Sequence, residues 1–254
     1  MTKRHGHVAV VGLGLVGGSV ARALRVAGYR VLGVDHPRVR RAARRAGAVT
    51  DTAATVEAVA GADVIVLAAP PATNRRLLRR LARVAGPDVV VTDVSGVKGP
   101  IVHEARRLGL RRFVGGHPMA GTERRGFEAS SAALFRGAVW WIVPAADPRA
   151  TGAVRRLVRA MGAKPLTITA PAHDRVVAFL SHTPQVASWA LLRAARADPL
   201  VRRHLGGAGP GFRDMTRLAR SPRAMWREVL AENRREVHRA LNALVRRLAD
   251  EEGK

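Results

Sequence analysis

Six residues, Gly12-Leu13-Gly14-Leu15-Val16-Gly17, constrain this chain more than any other stretch. They follow the β-branched run Val8–Val11 and lead into a helical pattern from about Val16 to Ala27. A glycine triplet of this spacing is weak evidence alone but has a physical meaning between a strand and a helix. Gly12 permits the tight turn, Gly14 lets the backbone approach a pyrophosphate, Gly17 allows close helix–strand packing, and the helix N-terminus faces the phosphates. Leu13, Leu15 and Val16 complete the loop. Asp35 ends the next apolar run, Val31–Val34, 23 residues after Gly12. Its carboxylate suits a ribose diol and repels a 2′-phosphate, which predicts NAD as cofactor. Arg38, three residues on, offsets part of that repulsion, so NADP stays open.

The alternation continues. Further candidate strands are Val64–Ala68, Val89–Thr92, Phe113–Gly115, Val139–Val143 and Leu166–Thr169, separated by helical patterns at about 38–46, 74–84, 101–108 and 149–161. Strands alternating with helices predict a parallel sheet covered on both faces. Residues just past the strand ends, Ala69-Pro70 and Asp93-Val94-Ser95, should line the same crevice as the glycine loop. After Pro171 apolar residues recur at three- and four-residue spacing, predicting one helix around His173–Ala195, shorter ones, and a long helix from about Arg223 to Asp250. The apolar stripe of that last helix, Trp226, Val229, Leu230, Val237, Leu241, Leu244, Val245 and Leu248, is too long for one small partner surface. The expected architecture is an α/β Rossmann-like dinucleotide-binding domain at 1–169 and an all-α helical domain at 170–254, through which the chain forms a homodimer.

Charge is the anomaly. The 254 residues carry 44 Lys and Arg against 19 Asp and Glu, a net +25. Only Lys3, Lys98, Lys164 and Lys254 are lysines, and the arginines fall in scattered pairs such as Arg40-Arg41, Arg79-Arg80 and Arg246-Arg247. A nucleic-acid module gathers its charge on one stripe with interleaved aromatics, whereas aromatics are 4% of this chain. A solvated surface is the favoured reading, with a basic nucleic-acid-binding protein as the alternative from another class. The absence of Cys excludes disulfides and thiolate metal sites, and no apolar run of eighteen residues predicts a membrane span. The N-terminus lacks a signal-peptide pattern, so a cytoplasmic protein is expected. His103-Glu104 begins an HExxH-like string, but position 107 is Arg, and no metal site is expected.

Three segments remain: Gly115-Gly116-His117-Pro118-Met119-Ala120-Gly121-Thr122-Glu123, Ser181-His182-Thr183-Pro184-Gln185, and Gly211-Phe212-Arg213-Asp214-Met215-Thr216-Arg217 with Met225-Trp226 and Glu232-Asn233 beyond it. With the glycine loop and Asp93-Val94-Ser95-Gly96-Val97-Lys98, they resemble, in order and over nearly the whole chain, the prephenate and arogenate dehydrogenases of tyrosine biosynthesis. The resemblance implies oxidative decarboxylation of a cyclohexadienol, prephenate to 4-hydroxyphenylpyruvate or arogenate to tyrosine, with a nicotinamide cofactor as hydride acceptor. It places the catalytic histidine at His117, where a neutral imidazole can accept the proton of the ring 4-hydroxyl. It places the substrate-binding arginine at Arg217, whose planar fork suits a dicarboxylate substrate. Glu123, Asp214 and Trp226 match pocket positions, and His182 matches the first histidine of a Ser-His-Leu-Pro-His segment. No separate tyrosine-sensing module is expected.

Two departures stand out. Gln185 replaces the second histidine of that segment and can exchange hydrogen bonds but not carry charge. Gly96 stands where the family has the serine of its Asp-Val-x-Ser-Val-Lys motif, with Ser95 one residue earlier. Either Ser95 substitutes through an altered turn, or the contact is missing and the substrate differs at that end. The second branch makes a 4-amino-4-deoxyprephenate dehydrogenase of secondary metabolism the alternative within the family. A β-hydroxyacid dehydrogenase, the more distant rival, ordinarily has a catalytic lysine in its helical region. None occurs here between Lys164 and Lys254.

Overall fold

The computed structural model describes residues 6–122, 124–221 and 223–252, and contacts divide the chain into two compact units, 1–173 and 174–254. Eight strands form one sheet in the first unit: β1 (His7–Val11), β2 (Arg30–Val34), β3 (Asp51–Ala53), β4 (Val64–Leu67), β5 (Val90–Asp93), β6 (Phe113–Pro118), β7 (Val139–Val143) and β8 (Lys164–Thr167). Their order is β3-β2-β1-β4-β5-β6-β7-β8, parallel except where β7 runs antiparallel to β6. The first six strands have the order of the dinucleotide-binding sheet, and the chain reverses its direction of winding between β1 and β4.

Helices α1 (Leu15–Val26), α2 (Pro37–Arg45), α3 (Pro71–Val84), α4 (Gly99–Arg107) and α5 (Pro148–Ala160) make the crossovers. The central strands are apolar on both faces: all four residues of β4, Val64-Ile65-Val66-Leu67, are buried. Two separate apolar clusters result. One packs Leu24, Val31, Trp140 and Leu157 against one face, the other Val11, Ile65, Leu78 and Ile101 against the opposite face. Continuous burial of this kind is what parallel strands between two helix layers require. Proline opens α2, α3 and α5 at their first position, where no backbone donor is lost, and Asp147 caps α5 by accepting from the N–H of Arg149 at 2.8 Å.

One surface cluster ties two of these helices. Glu104 on α4 accepts from Arg79 of α3 at 2.7 Å and from Arg107 at 2.9 Å. Arg107 first and Arg79 second pull its carboxyl from the ordinary 4.5 to about 2. A depressed folded-state value means the contribution is complete above pH 4.5 and is lost as the pH falls toward 2. Glu104→Gln is therefore expected to flatten the acid limb of the stability profile between those limits, measured by urea unfolding at each pH, with little change in its shape at higher pH.

The second unit is helical: α7 (Thr183–Ala197), α8 (Pro199–Arg203), α9 (Pro210–Thr216), α10 (Arg223–Glu232) and α11 (Arg234–Glu252), entered through α6 (Ala170–Val177). Three details depart from the sequence expectation. The short strand β3 carries no apolar run; it pairs with β2, and Ala53 packs against the apolar core. The helix expected around His173–Ala195 contains a π-turn at Ala178–His182. The long C-terminal helix is interrupted at Asn233, although its N–H still reaches the carbonyl of Val229 and its own carbonyl still accepts from Val237. No helix among the described residues is long and apolar enough to cross a membrane.

Candidate active site

The winding reversal puts the ends of β1, β2 and β4 side by side. Gly12 leaves β1 with φ of +93°, donates its N–H to the carbonyl of Val34 at 2.8 Å, and lies so near Ala68 that a Cβ would come within 2.8 Å of that backbone. A Cβ at Gly17 would stand 1.9 Å from the carbonyl oxygen of Gly12, whereas one at Gly14 would meet nothing within 4 Å. The outer glycines thus close the turn on itself, and the middle one leaves open room at the N-terminus of α1, a helix with no acidic residue in its first turn. That is the form of a phosphate cradle.

Leu13 is fully buried in the core, and its N–H donates to Asp35 Oδ2 at 2.6 Å; Asp35 Oδ1 accepts from His36 N–H at 2.6 Å. Each carboxylate oxygen keeps acceptor capacity for a ribose hydroxyl. The residues present therefore fit a dinucleotide, with Leu15 and Val16 opening the helix and half-buried Val94 beyond β5. At the end of β4, Ala69 donates its N–H to Asn74 Oδ1 at 3.1 Å, and Pro70 precedes α3.

The next ends hold a buried polar frame. Lys98 and Asp93 are fully buried, with Nζ 2.5 Å from Oδ2 and 2.6 Å from the carbonyl oxygen of Gly116. Asp93 also accepts from the N–H groups of Ser95 at 2.9 Å and Gly116 at 3.0 Å. A Cβ at Gly116 would fall 2.4 Å from the carbonyl oxygen of Asp93, so the glycine before His117 allows β6 to lie this close to the end of β5. This frame sets the backbone from which the half-buried His117 projects.

His117 Nδ1 lies 2.9 Å from Nε2 of His173, a fully buried side chain of α6, with the two rings edge to face. One of these nitrogens donates and the other accepts. The opposite edge of His117 faces position 96, where a Cβ would stand 3.8 Å from Nε2. Ser95 turns instead toward Asn74, accepting from its Nδ2 at 3.1 Å. Of the two branches left open for the DVSGVK segment, the geometry matches the one in which the serine contact is missing.

His182 and Trp226 come together in the helical unit, where Gln185 donates to the carbonyl of Leu218. His182 is buried at 1% exposure. Asn233 Nδ2 donates to the carbonyl of Asp174 at 2.7 Å and lies 3.2 Å from His182 Nδ1. The amide nitrogen has only donors to offer, so Nδ1 accepts and the neutral ring carries its proton on Nε2. Trp226 meets His182 edge to face at 5.9 Å. Arg217 and Asp214 are exposed, the former opening a 3₁₀ turn, Arg217–Arg220, and the latter on α9. Glu123 lies outside the described residues.

Sequence reasoning missed His173, Asn74 and the roles of Asp93 and Lys98. For His173 no local signal exists, since a histidine early in a helix reads as ordinary. The buried lysine had one: Lys98 is among only four lysines in a chain that uses arginine everywhere at its surface.

Comparison with known proteins points one way. A family model described as the nucleotide-binding domain of prephenate dehydrogenase matches residues 20–167, and one described as the dimerization domain of prephenate dehydrogenase matches 169–251. The prephenate dehydrogenase of Lactococcus lactis subsp. cremoris is 33% identical over 236 residues, covering 89% of this chain and 64% of the relative. The chain thus spans less than two thirds of that relative's length. Among solved structures, prephenate dehydrogenase from Aquifex aeolicus in complex with hydroxyphenyl propionate and NAD+ matches with a TM-score of 0.90 and 31% identity, over 98% of this chain and 90% of that one. Synechocystis arogenate dehydrogenase matches at 0.85 and 29%, over 96% and 90%.

Proposed function

Because the chain belongs to the prephenate dehydrogenase family, we propose that it oxidises and decarboxylates prephenate to 4-hydroxyphenylpyruvate with NAD+. The single observation that carries this reading is His117 at the end of β6, its Nδ1 edge engaged by buried His173 at 2.9 Å. Gly12, Gly14, Gly17 and Asp35 would hold the dinucleotide, with Leu13, Leu15, Val16, Ala69, Pro70 and Val94 around it. A bound nicotinamide would supply the hydride acceptor for C4 of the substrate ring.

The protein's own part is proton management and positioning. With His117 donating from Nδ1 to His173 Nε2, its Nε2 is the ring atom that accepts the 4-hydroxyl proton as the carbonyl forms. The imidazolium so produced keeps its Nδ1–H on a neutral acceptor, a bond that strengthens when the donor becomes charged. His173 is thus a positioning residue: it sets the tautomer of His117 and favours its cation. Loss of the ring carboxylate as carbon dioxide then returns the electron pair to the ring and makes it aromatic. Arg217 offers a permanently charged fork for a substrate carboxylate. Within the helical unit, buried His182 packs edge to face on Trp226, with Asp214 near Arg217 in sequence. The surplus of positive charge draws in an anionic substrate and cofactor.

Gly96 favours a second reading. Position 96, beside His117 Nε2, offers no hydroxyl to a 4-hydroxyl, which favours a substrate bearing an amino group at C4. A homodimer through the helical unit is supported by the dimerization model and by exposed Leu180, Leu200, Val245 and Leu248.

One crossed assay tests these readings, pairing prephenate, arogenate and 4-amino-4-deoxyprephenate with NAD+ and NADP+. Cofactor reduction is expected with prephenate and NAD+. A faster rate on the amino substrate would replace the first reading by the second, and no reduction in any pairing would overturn both.

A further inference from the structure

We infer that Gln185 is a positioning residue that anchors the turn carrying Arg217. Gln185 lies in the first turn of α7 and is fully buried. Its Nε2 donates to the carbonyl oxygen of Leu218 at 2.7 Å, and the same oxygen accepts the N–H of Ser221 at 2.9 Å. The two lone pairs of one carbonyl are therefore spent on holding one turn, from the inside by Gln185 and along the chain by Ser221.

The turn needs such an anchor. Arg217–Arg220 is four residues of 3₁₀ helix, with Arg217 and Arg220 exposed. Short 3₁₀ segments have poor internal hydrogen-bond geometry, so where they sit depends on what they are tied to. The tie falls at Leu218, adjacent in the chain to Arg217. A guanidinium that must meet a carboxylate in a planar, two-point fashion tolerates little displacement of its own backbone. A histidine in place of Gln185 can give the same hydrogen bond, but it can also take up a proton close to Arg217. Glutamine makes the anchor without adding a charge that titrates.

The kinetic side of this inference rests on the reading that Arg217 holds a substrate carboxylate, and the test separates the two. Full-length protein is compared with Gln185→Leu, which removes the donor, and Gln185→His, which restores one. Hydrogen exchange without ligand is expected to show protection of the Ser221 amide falling about fivefold to tenfold in Gln185→Leu. Protection in α11 is expected to stay unchanged, and Gln185→His to restore the Ser221 value. With prephenate and NAD+, KM for prephenate should rise about tenfold in Gln185→Leu, with kcat and KM for NAD+ within about twofold of the parent protein. Unchanged protection at Ser221, or equal loss across α10 and α11, overturns the anchoring. Lost protection with an unchanged KM leaves the anchoring intact and overturns the assignment of Arg217.

Discussion

His117→Asn is expected to lower kcat by roughly 10²–10⁴-fold while leaving NAD+ affinity within about twofold. Asparagine can still donate to His173 but has no nitrogen able to accept a proton near neutral pH, so the substitution removes the base and keeps its nearest hydrogen bond. The glycine loop and Asp35 belong to β1, α1 and β2, not to β6, so the dinucleotide cradle is untouched. Turnover is read by steady-state reduction of NAD+, and affinity by quenching of intrinsic tryptophan fluorescence. Near-normal turnover would show that another group takes the proton. A companion, His173→Phe, keeps a ring in the buried site but removes the acceptor. It should lower kcat less than His117→Asn does and move the acidic limb of the kcat profile to lower pH, because the tautomer and cation of His117 lose their partner. A flat fall in kcat with an unmoved pH profile would reduce His173 to a packing role.

Lys98→Met is expected to destabilise the first unit by about 3–5 kcal/mol, the range for breaking a buried ion pair by removing one partner. The methionine fills most of the lysine's space, so the loss arises chiefly from the carboxylate of Asp93, left fully buried without its cation, and from the carbonyl of Gly116, left without its donor. Asp93→Asn combined with Lys98→Met removes the stranded charge and should recover a good part of that loss. The difference between single and double variants isolates the charge from the packing. Denaturant unfolding, followed by fluorescence, measures both. A single-variant loss below about 1 kcal/mol would mean that the pair contributes no more than a surface salt bridge. Because Gly116 immediately precedes His117, the single variant should also lose turnover before it loses its fold.

The candidate site divides sharply between what was legible and what was not. The glycine loop, Asp35 and the strand ends near 69 and 94 could be placed from the chain alone, because each depends on a backbone turn or a strand end that its immediate neighbours dictate. His117 and Arg217 became candidates through a resemblance over ordered motifs; a histidine in a loop, or one of forty arginines, has no local mark of function. Ser95 illustrates the opposite limit. Whether its hydroxyl turned to His117 or elsewhere depended on Asn74, 21 residues away on α3. The resemblance places Gln185 among substrate-binding positions, yet its Nε2 donates to a backbone carbonyl 33 residues along the chain. The long C-terminal helix was legible as a periodic pattern, but its interruption at Asn233 was not, since that side chain answers to Asp174 and His182.

Taken by itself, the sequence determined the dinucleotide turn, the alternation of strands and helices, and the change to helix beyond Pro171. These follow from glycine sterics and from apolar periods of two and 3.6, which are properties of neighbouring residues. Only the tertiary structure decided the partners: Asp93 with Lys98 beneath Gly116, His173 behind His117, Ser95 with Asn74, and Gln185 under the Arg217 turn. Buried polar groups must find a hydrogen-bond partner wherever the packed chain brings one, and for His117 that partner lies 56 residues away. Strand order and helix placement set that meeting, and no window of adjacent residues contains it.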